Sequence, residues 1–242
     1  MRSYLAVGLA LEIGGLWAMT DPSVISFAMP HIANQHPPRS QRRRVAAQED
    51  RRQAILDAAL DSFAEHGYSA ARIEDVAARA GVAKGTIYLH FADKRSLFEA
   101  LARNAAAPML EHVGEMLRID APIHQLLAAL VEQFREQVLR TRRAEVFRLV
   151  ISESRRFPEI AEFYHREVIS KLLPMLGALL ARAHARGELR DDAAARFPHL
   201  LIAPLLLSVL WEGLFKLYEP LDTGALLAAH IELLTGLRKD AT

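Results

Sequence analysis

The chain has 242 residues, 51% of which are hydrophobic, enough for one small domain and a larger domain with a sizeable core. It contains no cysteine, which excludes a disulfide framework and a thiolate metal site and is compatible with a reducing cytoplasm. The net charge of +1 hides a basic excess toward the amino end, since residues 39–105 hold 12 Lys and Arg against 9 Asp and Glu.

Residues 1–38 are predicted to form an extension outside the folded core. Residues 4–19 are mostly apolar, but Glu12 and several glycines make them a poor membrane span, so we expect no membrane partner. A cleavable secretory signal is a second interpretation, because Arg2 precedes the apolar run. A linker is marked by His36-Pro37-Pro38, and we expect the whole extension to be disordered.

Arginines are concentrated just before and at the start of the first predicted helix. They are Arg39, Arg42, Arg43, Arg44, Arg51 and Arg52. We interpret residues 39–50 as a flexible basic arm that enters a minor groove or holds the phosphates of a nucleic acid. A charge run that only keeps the chain soluble is an equally weighted alternative.

Residues 51–68 predict an amphipathic helix. Its apolar residues recur at helical spacing and form one buried stripe, made of Ile55, Leu56, Ala59, Leu60 and Phe63. Gly67 is expected to end this helix, because glycine readily adopts the left-handed conformation found at helix ends.

Residues 73–91 predict two short helices joined by a tight turn, the pattern of a helix-turn-helix DNA-binding motif. The first helix carries an apolar stripe formed by Ile73, Val76, Ala77 and Ala80. Gly81 follows it and is predicted to take the left-handed conformation of the turn. In the second helix Ile87 and Phe91 are four residues apart and are expected to face inward.

The outer side of the second helix carries groups suited to nucleic acid. A cation, a hydroxyl, a phenol and an imidazole are available for phosphates or base edges from Lys84, Thr86, Tyr88 and His90. Gly85 allows the backbone to approach a partner closely. A small helical corner with a solvated face is the alternative interpretation, which the flanking helices disfavour.

Asp93 is predicted to cap a further helix, and no strand-like alternation follows it. The remaining pattern predicts helices over residues 94–117, 122–139, 142–155, 158–186, 194–218 and 224–238. Pro174 and Pro204 fall inside two of them, so a kink or break is expected at each. The segment 200–215 is apolar on all sides and is expected to be buried on several of them.

The order and text of residues 51–104 resemble the amino-terminal domain of the TetR/AcrR family of transcriptional regulators. The similarity is carried by RRQAILDAALDSFAEHGY, IEDVAARAGVAKGTIYLHF and DKRSLFEAL. Two positions depart from the family pattern: Ala83 stands where a Ser often caps the recognition helix, and Arg72 stands where a Thr or Ser is frequent. The resemblance implies an all-α fold, with a three-helix DNA-binding domain over residues 51–98 and a ligand-binding and dimerisation domain over residues 99–242.

The residues predicted to contact double-stranded operator DNA combine the outer face of the second motif helix with its flanks. They are Arg44, Arg51, Arg72, Ile73, Lys84, Gly85, Thr86, Tyr88, Leu89, His90 and Lys94. Residues at the start of the helix, Lys84 to Thr86, are expected to reach base edges. Phosphate contacts are expected from Tyr88 and Lys94.

The larger domain combines large apolar and aromatic residues with isolated polar ones, and the resemblance implies that its helices enclose a ligand cavity. The predicted ligand-binding residues are Phe134, Phe147, Arg148, Phe163, Trp211 and Phe215. Core packing is at least as well supported for Trp211 and Phe215. A solvated surface role is favoured for Arg148.

The resemblance also implies a homodimer. Residues 194–218 and 224–238 match, by order and length, the two long helices with which members of the family pair. A symmetric pair is expected on physical grounds too, because one motif contacts too few bases for useful specificity. At or near the interface, we expect burial of Leu205, Val209 and Leu233.

These patterns favour a ligand-responsive DNA-binding transcriptional regulator, above all a repressor released from its operator by a small apolar or amphipathic effector. A constitutive or partner-controlled regulator without a small-molecule effector is the alternative. An enzyme is disfavoured, because the sequence contains no partnered nucleophile, no glycine-rich phosphate loop and no histidine pair at metal-ligand spacing. We therefore expect no metal or other cofactor, and a cytoplasmic location.

Overall fold

The computed structural model describes residues 39–236, and every regular element in this range is helical, which confirms the all-α class. The amino-terminal part contains α1 Arg39–Ala70, α2 Ile73–Arg79, α3 Lys84–His90 and α4 Lys94–Met116. The larger part contains α5 Ile123–Phe134, α6 Arg143–Ser154, α7 Pro158–Tyr164, α8 Ser170–Ala185, α9 Ala193–Arg196, α10 His199–Leu214 and α11 Thr223–Thr235.

Two helical stretches of the larger part widen locally into π-helix. One π turn, Arg135–Leu139, extends α5, and another, His165–Ile169, joins α7 to α8. The long helices predicted over residues 122–139 and 158–186 are therefore present, each with one π turn. Such turns occur frequently at functional sites, because the extra residue re-aims the side chains around it.

The first helix begins at Arg39, so the flexible arm predicted over residues 39–50 is wrong. This segment contains neither glycine nor proline, and nothing in its composition stops α1 from extending toward the amino end. The basic residues therefore lie on a helix, where Arg43 is exposed. The predicted extension over residues 1–38 lies outside the described residues.

The first four helices share one apolar core with α6 and α7. Phe63 and Phe98 are each 1% exposed, and their ring centroids lie 6.0 Å apart. Tyr68 packs against Phe98, and Val150 of α6 and Phe163 of α7 belong to the same cluster. One continuous core therefore crosses the boundary predicted between residues 98 and 99.

Two further cores hold the larger part together. The second core joins α5 and α8 to the ends of α4 and α10, with Leu127 and Leu180 fully buried in it. The third core joins α5, α10 and α11 through Phe134, Val209 and Leu227. The apolar residues of α10 contribute to both cores, which explains why this helix has no charged face.

Prolines act differently at three positions. Pro198 separates α9 from α10, so one predicted helix is divided there. Pro174 and Pro204 lie inside α8 and α10, and neither helix breaks. Pro204 has no N–H to donate to the carbonyl of Leu200. Burial lowers the pKa of His230, and the Leu200 carbonyl near its imidazole opposes the shift.

The carboxyl end of α4 is tied to α8. The guanidinium of Arg182 donates to the carbonyls of Met116, Leu117 and Ile119 at 3.4, 2.9 and 3.1 Å. Carbonyls at a helix end have no partner within the helix, so these bonds satisfy groups that would otherwise need water. They also hold the far end of α4 in place against α8.

One helical stretch, Pro158–Ala185, is long and apolar enough, by length and composition alone, to cross a membrane. Its apolar side chains are also used inside this chain. Phe163 packs in the first core, and Leu176 and Leu180 pack in the second. These three apolar side chains therefore serve packing within the fold.

Candidate DNA-binding surface and interior cavity

The turn between α2 and α3 depends on a glycine and on small buried residues. Gly81 has a φ of 65°, the left-handed conformation predicted for it. The N–H of Val82 donates to the carbonyl of Ala77 at 3.0 Å and closes the end of α2. Ala77 is 4% exposed and Ile87 is 1% exposed, so the two helices cross closely. The predicted helix-turn-helix is present.

The third helix presents an uncovered face. Its exposed residues are Lys84, Gly85, Tyr88 and Leu89, while Thr86 and His90 are half-buried. Leu89 is 84% exposed, which leaves a large apolar side chain free for a partner. A Cβ added at Gly85 would meet no protein atom within 4 Å, so packing within the chain does not require glycine there. The open space lies on the face that would approach DNA.

Lys84 is held by a carboxylate of the neighbouring helix. Its ammonium lies 2.5 Å from Oε1 of Glu74 and 5.9 Å from the ring centroid of Tyr88. The hydrogen bond between Lys84 and Glu74 raises the pKa of the lysine and lowers the pKa of the glutamate. Lys84 therefore stays charged, and Glu74 competes with any phosphate for it.

Lys94 is an internal anchor as well as a candidate phosphate ligand. Its ammonium donates to the carbonyls of Ser69 and Ala71 at 2.9 and 3.1 Å and lies 5.0 Å from the ring centroid of Tyr68. Burial lowers the pKa of Lys94. An ammonium has three N–H donors, so one remains for a phosphate.

Asp93 caps α4 as predicted. Its Oδ1 accepts a hydrogen bond from the N–H of Ser96 at 2.6 Å, and Oγ of Ser96 accepts one from the N–H of Asp93 at 3.0 Å. This reciprocal pair satisfies two N–H groups at the start of the helix. The start of α3 has no side-chain cap, because Ala83 carries no polar group.

The flanking residues of the predicted DNA-binding set have different environments. Arg51 is exposed and lines a groove between α1 and the end of α3. Arg72 is exposed at the start of α2, where its side chain makes no capping bond. The side chain of Ile73 is 9% exposed and packs in the first core, so its predicted DNA contact stays a prediction for the backbone at the start of α2. Arg44 belongs to α1, but its side chain lies outside the described part of the chain.

A cavity of ≈ 100 Å³ lies in the larger part, lined by α4, α5, α6, α7, α8 and α10. All of its lining residues are apolar except Arg143 and Tyr164. The residues from α4 are Ala102, Ala105, Ala106, Met109, Leu110 and Val113. Both π turns border it, through Val138 and through Val168 and Ile169. Among residues 39–236, no cluster of three or more His, Asp or Glu is arranged to hold a metal ion.

Two of the six predicted ligand-binding residues line this cavity, namely Phe134 and Phe147. The ring of Phe147 packs edge-on against Tyr164, with centroids 5.7 Å apart. The prediction for Phe163 is wrong, because this residue is 1% exposed in the first core. Neighbouring positions on a helix point about 100° apart, so Tyr164 faces the cavity while Phe163 faces the first core.

The other three predictions, Arg148, Trp211 and Phe215, are also wrong as cavity residues. Arg148 lies across Gly213, where an added Cβ would come within 2.5 Å of Cδ of Arg148, and its Nη1 donates to the carbonyl of Val209 at 3.3 Å. The rings of Trp211 and Phe215 pack against each other at the end of α10, with centroids 5.1 Å apart. This end of the helix lies past the turns that line the cavity.

Arg143 and Tyr164 are the polar lining residues that the predicted ligand-binding set does not include. Nη1 of Arg143 donates to the backbone carbonyl of Gln137 at 3.1 Å and to its Oε1 at 2.9 Å. Burial raises the pKa of Tyr164 well above its usual value, so the phenol is neutral. One signal was present in the sequence: Arg143 precedes Phe147 by four residues and shares its helix face.

Exposed leucines form a stripe on the last two long helices. They are Leu200, Leu207 and Leu214 on α10, at 41%, 43% and 58% exposure, and Leu233 on α11, at 62%. Leu205 and Val209 are 9% and 1% exposed in this chain's own third core. Their predicted burial at an interface between protomers is therefore wrong, while Leu233 remains available for one.

Comparisons with known proteins agree with this geometry. Residues 55–101 match the family described as bacterial regulatory proteins, tetR family, and residues 123–219 match the tetracyclin repressor-like C-terminal domain. The HTH-type transcriptional repressor BepR of Brucella suis is 32% identical over 158 residues, which cover 64% of this chain and 76% of BepR.

Solved structures share the fold. The fatty acid degradation regulator FadR from Bacillus halodurans is 27% identical with a TM-score of 0.59, over 77% of this chain and 96% of that chain. SmeT, solved in complex with triclosan, has a TM-score of 0.65 at 24% identity, over 76% of this chain and 90% of SmeT. The similarity to SmeT shows the fold alone.

Proposed function

This chain belongs to the TetR family of bacterial transcriptional regulators, and we propose that it is a homodimeric repressor released from its operator by a small apolar or amphipathic effector. One observation carries the proposal. The fourth helix begins at Lys94, beside the DNA-binding face, and its later turns line the cavity. A single helix therefore connects the cavity with the reader, the unit formed by α1, α2 and α3.

In this proposal the exposed face of α3 enters the major groove of the operator. The start of the helix reaches deepest, so Gly85 allows close backbone approach and Thr86 bonds a base edge. Leu89 offers an apolar contact for a thymine methyl group. Phosphates are bound by Tyr88 and the remaining N–H of Lys94, with further DNA contacts from Arg51, Arg72, Lys84 and His90.

The effector is proposed to bind in the cavity between α4 and α10. Apolar lining favours an apolar molecule, because transfer of its surface out of water is favourable. The SmeT structure contains triclosan, and FadR of Bacillus halodurans is named for fatty acid degradation. These relatives support an effector that is small and largely apolar.

Release is proposed to follow a movement of α4. Its carboxyl end is tied to α8 by Arg182, so a ligand pressing on Ala105 and Met109 tilts the end that adjoins the reader. In a dimer this tilt changes the spacing of the two readers relative to successive major grooves. Coupling energies of about 1–3 kcal/mol, typical for two linked sites, would lower operator affinity about 5- to 150-fold.

The dimer is proposed to form through the exposed leucine stripe of α10 and α11. Leu207 and Leu233 lie on this stripe and are 43% and 62% exposed among the described residues. Contiguous exposed apolar patches mark interaction sites, and a twofold pair would bury the same patch on both copies. The proposed function implies a cytoplasmic protein, because its operator lies on the bacterial chromosome.

The alternative is a constitutive or partner-controlled regulator with no small-molecule effector. Both functions share the DNA-binding face, and they differ only in the use of the cavity. Tight operator binding that no apolar compound alters would favour this alternative.

The test begins with the full chain and a random DNA pool, from which the operator is selected and sequenced. Operator affinity is then measured with and without a panel of small apolar compounds, with triclosan as its first member. For any compound that lowers operator affinity, saturating operator must weaken that compound by the same factor, because coupling between sites is reciprocal. Equal compound affinities with and without operator would show that the cavity is not the switch.

A further inference from the structure

We infer that the effector has an elongated apolar chain and one acidic head group of the carboxylate type, and that Arg143 binds this head. The inference rests on the proposed function, since it takes the cavity to be the effector site. It goes further by naming the chemistry of the ligand and the residue that selects it. It follows from how polar groups are distributed around the cavity.

Arg143 presents a guanidinium without a counter-ion. It is half-buried on the cavity wall, and within residues 39–236 no carboxylate pairs with it. Gln137 accepts two hydrogen bonds from its Nη1 and thereby orients the guanidinium. Nε and Nη2 make no hydrogen bond to the described residues, so they remain free donors. A carboxylate matches two such donors in a planar, bidentate pair.

The rest of the lining discriminates among head groups. Among the described residues no Asp or Glu lines the cavity, so an ammonium head would be buried there without a partner. Phe147 follows Arg143 by one helical turn and packs edge-on against Tyr164, so both polar lining residues neighbour Phe147. The neutral phenol of Tyr164 can donate a second hydrogen bond to an acidic head. An alcohol head would accept hydrogen bonds but would lack the charge that strengthens them.

The shape of the lining favours an elongated chain. The residues contributed by α4 extend from Ala102 to Val113, about 16 Å of helix at 1.5 Å per residue. Small side chains at one end, Ala102, Ala105 and Ala106, leave room beside the helix. The π turn Arg135–Leu139 carries both Gln137, which orients Arg143, and the lining residue Val138. The polar head and the apolar wall are therefore organised by one local feature of α5.

The test compares three ligands that share one chain and differ only in the head: octanoate, octanol and octylamine. Isothermal titration of each into the full chain measures its affinity. Octanoate should bind about tenfold more tightly than octanol, because hydrogen bonds between charged groups are the stronger class, and octylamine should bind most weakly. Octanol binding as tightly as octanoate would overturn this inference and leave the proposed function standing. Absence of binding by all three would overturn the effector cavity itself, and this inference with it.

Variants of the full chain then assign the preference to one side chain. Arg143→Gln should abolish the preference for octanoate over octanol while octanol affinity stays within about twofold, because the apolar wall is unchanged. Arg143→Lys should retain part of the preference, since the charge remains without the bidentate geometry. Arg140→Gln is the matched control: Arg140 is exposed, pairs with Glu136 and does not line the cavity. A preference that survives in Arg143→Gln would contradict the assignment, as would its loss in Arg140→Gln.

Discussion

Nη2 of Arg142 lies 2.6 Å from Oδ1 of Asp61, an ion pair that joins the start of α6 to α1. The next residue, Arg143, lines the cavity, so α6 contacts the reader and the cavity through consecutive residues. At its other end α6 approaches Gly67, whose φ of 74° bends α1. A Cβ added at Gly67 would lie 3.1 Å from Oε1 of Glu153 in α6. The cavity is therefore connected to the reader by α6 as well as by α4.

Replacing Phe163 with alanine should destabilise the whole chain by about 3–5 kcal/mol, the cost typical of removing a fully buried phenylalanine. Phe163 belongs to the core shared by the reader and α6, so a single unfolding transition is expected in urea. Asp61→Asn is the comparison, since this half-exposed ion pair should contribute less than about 1 kcal/mol. Two separate transitions in the unmodified chain would show that the reader unfolds alone and would contradict the shared core.

Replacing Glu74 with glutamine should strengthen operator binding, because it releases Lys84 for a phosphate. The slope of log affinity against log salt should become steeper by about one, as expected for one more phosphate contact. Asp75→Asn removes an equal charge from the same helix without touching Lys84, and it serves as the control. An equal gain from both variants would assign the effect to overall charge and not to the pair seen here.

Replacing Lys94 with methionine should have two effects at once. The reader should lose stability, because the carbonyls of Ser69 and Ala71 lose their charged donor. The salt slope of operator binding should also become shallower by about one. Lys84→Met should leave both the thermal stability and the salt slope nearly unchanged, since Lys84 is exposed and Glu74 holds its ammonium. A Lys94→Met chain with an unchanged slope would remove Lys94 from the DNA contacts.

The stability of the protein should fall as pH is lowered below about 6.5, the ordinary pKa of histidine, through His230. Its folded pKa is lowered by burial, so in acid the unfolded chain takes up a proton that the folded chain refuses. The contribution of neutral His230 to the free energy of unfolding is complete above the pKa of histidine in the unfolded chain. It is lost as pH falls through the folded pKa, and the free energy of unfolding changes by at most about 1.4 kcal/mol per pH unit. His230→Gln should flatten this dependence in thermal melts, whereas His199→Gln at an exposed site should not. An identical dependence of melting temperature on pH in the unmodified chain and in His230→Gln would contradict this role of His230.

Replacing Leu233 with glutamate should convert the dimer to monomers and abolish tight operator binding together, because two linked readers are needed for a palindromic site. Leu233 is 62% exposed in the protomer, so the substitution should not affect the folding of the protomer. Ile151→Glu alters an equally apolar exposed residue on α6, away from the stripe, and should remain dimeric. Light scattering reports the mass, and a monomeric unmodified chain would contradict the proposed interface.

Local sequence patterns determined the reader and the order of helices. The left-handed Gly81, the cap at Asp93 and the inward-facing Ile87 depend on residues within a few positions of each other, so spacing alone predicts them. The same holds for most helix boundaries of the larger part, which are marked by prolines and glycines. The start of α1 was missed because the charge of residues 39–50 suggested an arm, although their composition permits a helix.

Tertiary structure alone decided which side chains face the cavity, which pack in a core and which are exposed. Phe163 and Tyr164 are adjacent in sequence, yet one completes the core under the reader and the other lines the cavity. The sequence alone does not distinguish the environments of Lys84 and Lys94. In the structure Lys84 pairs with Glu74, whereas Lys94 donates to the carbonyls of Ser69 and Ala71. These outcomes depend on how helices distant in sequence cross, and periodicity within one helix carries no information about what lies opposite its face.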